Sequence, residues 1–216
     1  MTLQNNSIDY KSELLRKSIH LCSLSIPISY NFVSRELMLY VLVPLAIFSL
    51  ILDVGRRFSP FIFNLLDKFF GFMMRDHEKQ KGNFNLSGAS WVFISAVVVV
   101  LIFPKLFVIT GFAVLIVSDL TAALIGRRFG KHKFLFKSLE GTSAFFVSAC
   151  IVVLLTPKYD GLFLEYIIGF IAVAIGAIAE NISYGWADDN LLIPFSIGGA
   201  MWIMYSIFLP GYFISL

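Results

Sequence analysis

Charge is scarce in this chain. Asp, Glu, Lys and Arg make up 14% of its 216 residues, whereas a soluble globular domain carries about 25%. Hydrophobic residues fill 58% of the sequence, and the mean hydropathy is +0.82. These values exclude an ordinary soluble enzyme or scaffold and predict an integral membrane protein. Cysteine is nearly absent. Cys22 and Cys150 both lie in apolar segments, which argues against a disulfide framework and against a thiolate metal site. No cleavable signal peptide is expected, because MTLQNNSIDYKSELLRK is polar for too long and has no small-residue cleavage site. Internal repeats, low-complexity tracts and a soluble domain are missing too, so residues 1–216 read as one membrane domain. The net charge is only +3, and no nucleic-acid partner is expected.

Long apolar runs take the place of what is missing. A membrane-spanning helix needs roughly 17–25 apolar residues. The sequence predicts seven, over 14–33, 37–54, 86–103, 106–126, 139–156, 162–183 and 190–209. The fold class is therefore an all-α polytopic bundle. Residues 60–75, PFIFNLLDKFFGFMMR, differ: Asn64, Asp67, Lys68, Gly71 and Arg75 recur at helical spacing among Phe, Ile, Leu and Met. That pattern predicts one amphipathic helix lying in the headgroup plane.

With seven spans, 14 of the 17 Lys and Arg residues fall on the side of the N-terminus, and only Arg35, Lys105 and Lys158 fall on the other. Cytoplasmic loops carry the positive excess. The N-terminus is expected in the cytoplasm and the C-terminus on the opposite side.

The polar clusters all lie at that cytoplasmic end. In ELLRKSIH, the residues Glu13, Arg16, Lys17 and His20 share one helix face at the mouth of the bundle. The structural alternative is a Glu13–Lys17 pair with topological anchors. The loop RDHE, 75–78, precedes small residues at 87–90 that suit close helix packing.

In SDLTAALIGRRFG, 118–130, Asp119 lies about two turns inside a span. A carboxylate there costs roughly 2.5–3.5 kcal/mol on insertion scales and is a functional-site candidate by default. Gly126 follows on the same face, with Ala122 and Ala123 between. Gly126 and Gly130 suit either helix packing or close approach of backbone to a phosphate. Arg127, Arg128, Lys131, Lys133 and Lys137 then form a basic loop ending in KSLEGT. Such a loop serves topology or cradles a polyphosphate. Ser138 is placed to cap the next helix, whose free N–H groups attract an anion, and Glu140 complements the helix dipole. Finally, Glu180 ends the sixth span, and Asp188, Asp189 and Asn190 open the seventh. Mg²⁺ takes one or two carboxylates plus substrate phosphates, which Asp119 with Asp188 or Asp189 can supply. Asp188 as a helix cap is the structural alternative. Acids, cations and glycines thus converge at one end of a lipid-embedded bundle, an arrangement suited to a Mg–nucleotide reacting with a lipid.

RKSIH, SDLTAALIGRRFG, KSLEGT, and EN followed by DDNLLIPF occur here in an order and spacing that resembles the CTP-dependent lipid kinase family. That family includes dolichol kinase, phytol kinase and CTP-dependent diacylglycerol kinase. The resemblance places Arg16, Lys17, Asp119, Gly126, Lys137, Ser138, Glu140, Gly141, Asp189 and Asn190 in the family's motifs. It implies a membrane kinase moving the γ-phosphoryl group of CTP, with Mg²⁺, to a lipid alcohol. Asp119 with Asp188 or Asp189 then holds the metal, while Lys137 and the arginines after Gly126 hold phosphates. Arg16 and Lys17 close the site, and His20 accepts the alcohol proton. The chain is also distantly similar to phosphatidate cytidylyltransferase, which shares the Asp–Gly–Lys–Glu-Gly core. DDNLLIPF stands where that enzyme carries a His-Gly-Gly and Asp-Arg signature, which favours the kinase branch. A transporter of an anionic solute is the non-enzymatic alternative. It would want charge at the bilayer midplane and repeated halves, and this sequence has neither. The alcohol itself, whether polyprenol, phytol or diacylglycerol, is left open.

Overall fold

Among the described residues, four helices are long and apolar enough to cross a membrane, and two shorter apolar helices accompany them. The computed structural model describes residues 18, 20–70, 86–183 and 188–212. Arg16, Lys17 and the RDHE cluster lie outside the described residues. The helices are α1 (Ser25–Phe32), α2 (Arg35–Phe58), α3 (Pro60–Phe70), α4 (Gly88–Ile102), α5 (Lys105–Phe129), α6 (Leu139–Leu155), α7 (Phe163–Ile182) and α8 (Asp189–Phe208). A two-stranded hairpin, β1 (Lys133–Phe134) and β2 (Lys137–Ser138), joins α5 to α6.

Six of the seven expected spans correspond to α2 and α4–α8. The first does not form one continuous helix. Pro27 has no N–H to donate to Ser23, and its ring crowds that carbonyl. The chain answers with tighter bonds: the amides of Ser23, Leu24 and Ile26 reach the carbonyls of His20, Leu21 and Ser23. This leaves α1 with only 8 residues, about 12 Å at 1.5 Å per residue, too short to cross alone. The amphipathic segment forms α3, whose described helix ends at Phe70.

The core is built around α5. Of its most apolar stretch 61% is buried, against 28% for α2, so α5 is central and α2 peripheral. Helices α1, α6 and α8 pack on α5; α7 packs on α6 and α8, and α2 on α4. The rings of Phe107 and Tyr205 lie 4.8 Å apart. A Cβ on Gly111 would meet the carbonyl oxygen of Pro194 at 3.1 Å. Descending α5 thus ascends α8, and Asp119, eight residues beyond Gly111, lies toward the end of the bundle where α8 begins.

Two polar clamps fasten the frame. Asp53 accepts hydrogen bonds from the N–H and hydroxyl of Ser87 at 2.7 and 2.9 Å, and Arg56 lies 3.5 Å from its other oxygen. Ser87 caps α4, so this buried pair ties α2 to α4, and Arg56 does more than set topology. At the opposite end Glu165 is completely buried. It accepts the amides of Tyr159, Asp160 and Leu162 at 2.8, 3.1 and 2.9 Å, and the Tyr205 hydroxyl at 3.0 Å. Burial and the Glu165 charge push the Tyr159 phenol up to about 12. This acid is a structural anchor with a full set of donors.

Candidate functional site

The site begins where α5 meets α6. A Cβ added to Gly141 would lie 3.2 Å from both the Ala122 carbonyl oxygen and the Gly126 Cα. One added to Gly130 would lie 2.9 Å from the Ser138 Cβ. Small residues let two backbones touch in this way. Gly126, Gly130 and Gly141 lie close to one another and to Ser138, so they pack the junction of α5 and α6.

The hairpin follows, with Lys133 opposite Ser138 and Phe134 opposite Lys137. Ser138 caps α6, its hydroxyl accepting the Gly141 amide at 3.2 Å. Glu140 does not simply face the helix dipole. Its carboxylate accepts the His132 amide at 3.2 and 3.3 Å and meets the His132 ring Nδ1 at 2.7 Å, fastening the basic loop to the first turn of α6.

Two residues that sequence reasoning left out of the site organise it. Asn181, fully buried on α7, accepts the amides of Phe136 and Lys137 at 2.9 and 3.3 Å and donates to the Thr142 hydroxyl at 2.6 Å. It pins the hairpin to the bundle. Beside it, Glu180 meets the Lys137 ammonium at 2.5 Å, and the Ser183 hydroxyl lies 3.4 Å from the same ammonium. Glu180 is 4% exposed, and its second oxygen, Oε2, has no hydrogen-bond partner. Asp119 and Asp189 both act electrostatically on Glu180. The signal for this pair was available: adjacent Glu and Asn at the end of an apolar helix must satisfy themselves inside the protein.

The remaining candidates divide clearly. Asp119 is buried at 5% exposure. Asp188 caps α8: its carboxylate accepts the Asn190 amide at 3.0 Å and the Asn190 side-chain nitrogen at 2.6 Å. Asp189 opens that helix. Lys137 points inward, whereas Arg127, Arg128, Lys131 and Lys133 are exposed. His20 is half-buried in the segment leading into α1. Among the described residues, no three His, Cys, Asp or Glu side chains stand close enough to hold a metal ion by themselves.

An uncharacterized protein of Rickettsia prowazekii is 34% identical over 190 residues, covering 87% of this chain and 92% of that protein. CTP-dependent diacylglycerol kinase 1 of Schizosaccharomyces pombe is 32% identical over 155 residues, covering 66% of this chain and 69% of the kinase. This chain belongs to the family of that CTP-dependent diacylglycerol kinase. No family model matches, and no solved structure matches. The family membership agrees with the resemblance read from the motifs.

Proposed function

We propose that the chain is a CTP-dependent lipid kinase with its site at the junction of α5, α6, α7 and α8. The observation that carries this reading is the Lys137–Glu180 ion pair buried at the end of an apolar bundle, with the second Glu180 oxygen left without a hydrogen-bond partner. Phosphoryl transfer asks mainly for alignment and charge neutralisation, and this pair offers a cation beside a carboxylate. In this reading the chain crosses the bilayer seven times, with its N-terminus and site facing the cytoplasm.

The donors fit a hard cation that keeps substrate phosphates as ligands. Asp119 with Asp189 or Asp188, completed by substrate phosphates, are the groups that would hold Mg²⁺. The metal supplies charge neutralisation at the phosphates when bound. Lys137 binds a phosphate once it leaves Glu180, with Arg127 and Arg128 at the rim and Lys131 and Lys133 further out. Arg16 and Lys17 close the site from the first segment.

The alcohol enters sideways, keeping its tail in the bilayer. Its oxygen attacks the γ-phosphorus, and the bond to the β–γ bridging oxygen breaks. The alcohol proton passes to His20, and CDP leaves with a lipid monophosphate behind. The lipid alcohol is of the diacylglycerol, polyprenol or phytol type.

The test is donor choice. Purified protein given CTP or ATP at equal concentration, with Mg²⁺ and a panel of lipid alcohols, should phosphorylate from CTP. A clear preference for ATP would overturn the family-based reading of the donor. A cytidylyl-lipid product would transfer the chain to the cytidylyltransferase class.

A further inference from the structure

The hairpin between α5 and α6 exposes apolar side chains where a turn needs none. Its loop is the pair Leu135–Phe136, between Phe134 and Lys137. Two-residue hairpin turns need positive φ, which favours Asn and Gly. Here Leu135 takes φ 50, an uncommon conformation for a bulky residue. Leu135 is 50% exposed and Phe136 64%. The tip is not a frayed loop, because Asn181 holds the Phe136 and Lys137 amides. The fold therefore holds two greasy side chains outward in a rigid, strained turn.

The chain leading into the hairpin is basic. Arg127, Arg128, Lys131 and Lys133 are exposed, and the Arg128 guanidinium lies 5.4 Å from the centre of the exposed Phe129 ring. The nearby carboxylate of Glu140 is engaged with His132. The hairpin fills the short stretch between the end of α5 and the start of α6, at the level where apolar helices leave the bilayer. We propose that it docks into an anionic headgroup layer of the membrane that the chain spans. Leu135 and Phe136 reach the apolar boundary, and Lys131 and Lys133 meet lipid phosphates. Apolar residues combined with basic ones are what interfacial binding uses. A nucleotide would leave the Leu–Phe tip unexplained. A second copy docked symmetrically would set the same cations against each other. The inference rests on the hairpin and is independent of the reaction catalysed.

The test uses full-length protein in vesicles, with Cys22→Ser and Cys150→Ser, and an environment-sensitive fluorophore on Phe136→Cys. In phosphatidylcholine with phosphatidylglycerol, emission should shift to the blue and be quenched by brominated lipid. High salt, Lys131→Gln with Lys133→Gln, or phosphatidylcholine alone should reverse both effects. Leu135→Gly relieves the left-handed backbone, so stability in neutral detergent should hold or rise while the blue shift shrinks. Water-like emission in every lipid would overturn the proposal. So would a shift that follows protein density, which means a second copy, or one produced by CTP without anionic lipid.

Discussion

Replacing Lys137 by Ala should destabilise the fold more than removing both members of its ion pair. The variant leaves the Glu180 carboxylate, 4% exposed, without its cation and beside Asp119 and Asp189. Breaking a buried pair from one side typically costs about 3–5 kcal/mol. The Lys137 side chain is 32% exposed, so water already screens part of the interaction, and about 2–3 kcal/mol is the reasonable scale. Adding Glu180→Gln removes the stranded charge. What remains is a lost charged hydrogen bond and some packing, about 1–1.5 kcal/mol. The assay is equilibrium unfolding in detergent for both single variants and the double variant. The double should recover about 0.5–2 kcal/mol relative to Lys137→Ala, a coupling that independent sites do not show. If the double variant is as unstable as the sum of the singles, Glu180 is not held as a charge by Lys137, and the reasoning fails. Binding adds a second readout. Glu180→Gln removes a negative charge facing the phosphates, so metal-free CTP should bind more tightly, whereas Lys137→Ala should weaken it.

Asp119→Asn keeps the shape and removes a charge, so turnover should fall by orders of magnitude (a single transition-state contact is worth roughly 2.7–4 kcal/mol). Folding should survive, because an amide inside a span costs less than a carboxylate; near-normal activity would make the acid structural. Glu165→Ala strands three amides and the Tyr205 hydroxyl. It should cost about 4 kcal/mol or more at 1–3 kcal/mol per orphaned group, with KM for CTP unchanged in whatever fraction folds. Gly141→Ala forces a methyl within 3.2 Å of the Ala122 carbonyl oxygen and should cost about 1–3 kcal/mol of overpacking, read as a lower midpoint in thermal unfolding.

The helices were legible because apolar runs bounded by Ser, Pro and charge leave few alternatives: α6 begins at the Leu139 that Ser138 caps, and α8 begins at the Asp189 that follows Asp188. The break before α1 was legible in principle, since Pro27 is visible, but a hydropathy run does not register a lost hydrogen bond. At the site, Lys137 and Asp119 stood out as charges beside or within greasy segments. The roles of Glu180 and Asn181 are not legible from the sequence, because their partners lie 43 and 45 residues away. Spacing along one helix cannot report such pairings. Glu140 was visible as a first-turn acid, but its bond to His132 depends on the hairpin folding back. The close contacts of Gly126, Gly130 and Gly141 depend on α5 meeting α6, which spacing along one helix does not show.

The central claim is that the terminal phosphoryl group of CTP ends on a lipid alcohol. Purified protein in mixed micelles with Mg²⁺ and diacylglycerol, polyprenol or phytol should be given CTP labelled at the γ-phosphorus in one reaction and at the α-phosphorus in another. The account predicts lipid-soluble label from the γ position only, with CDP released in equal amount. Lipid-soluble label from the α position, or from neither with any of these alcohols, would contradict it.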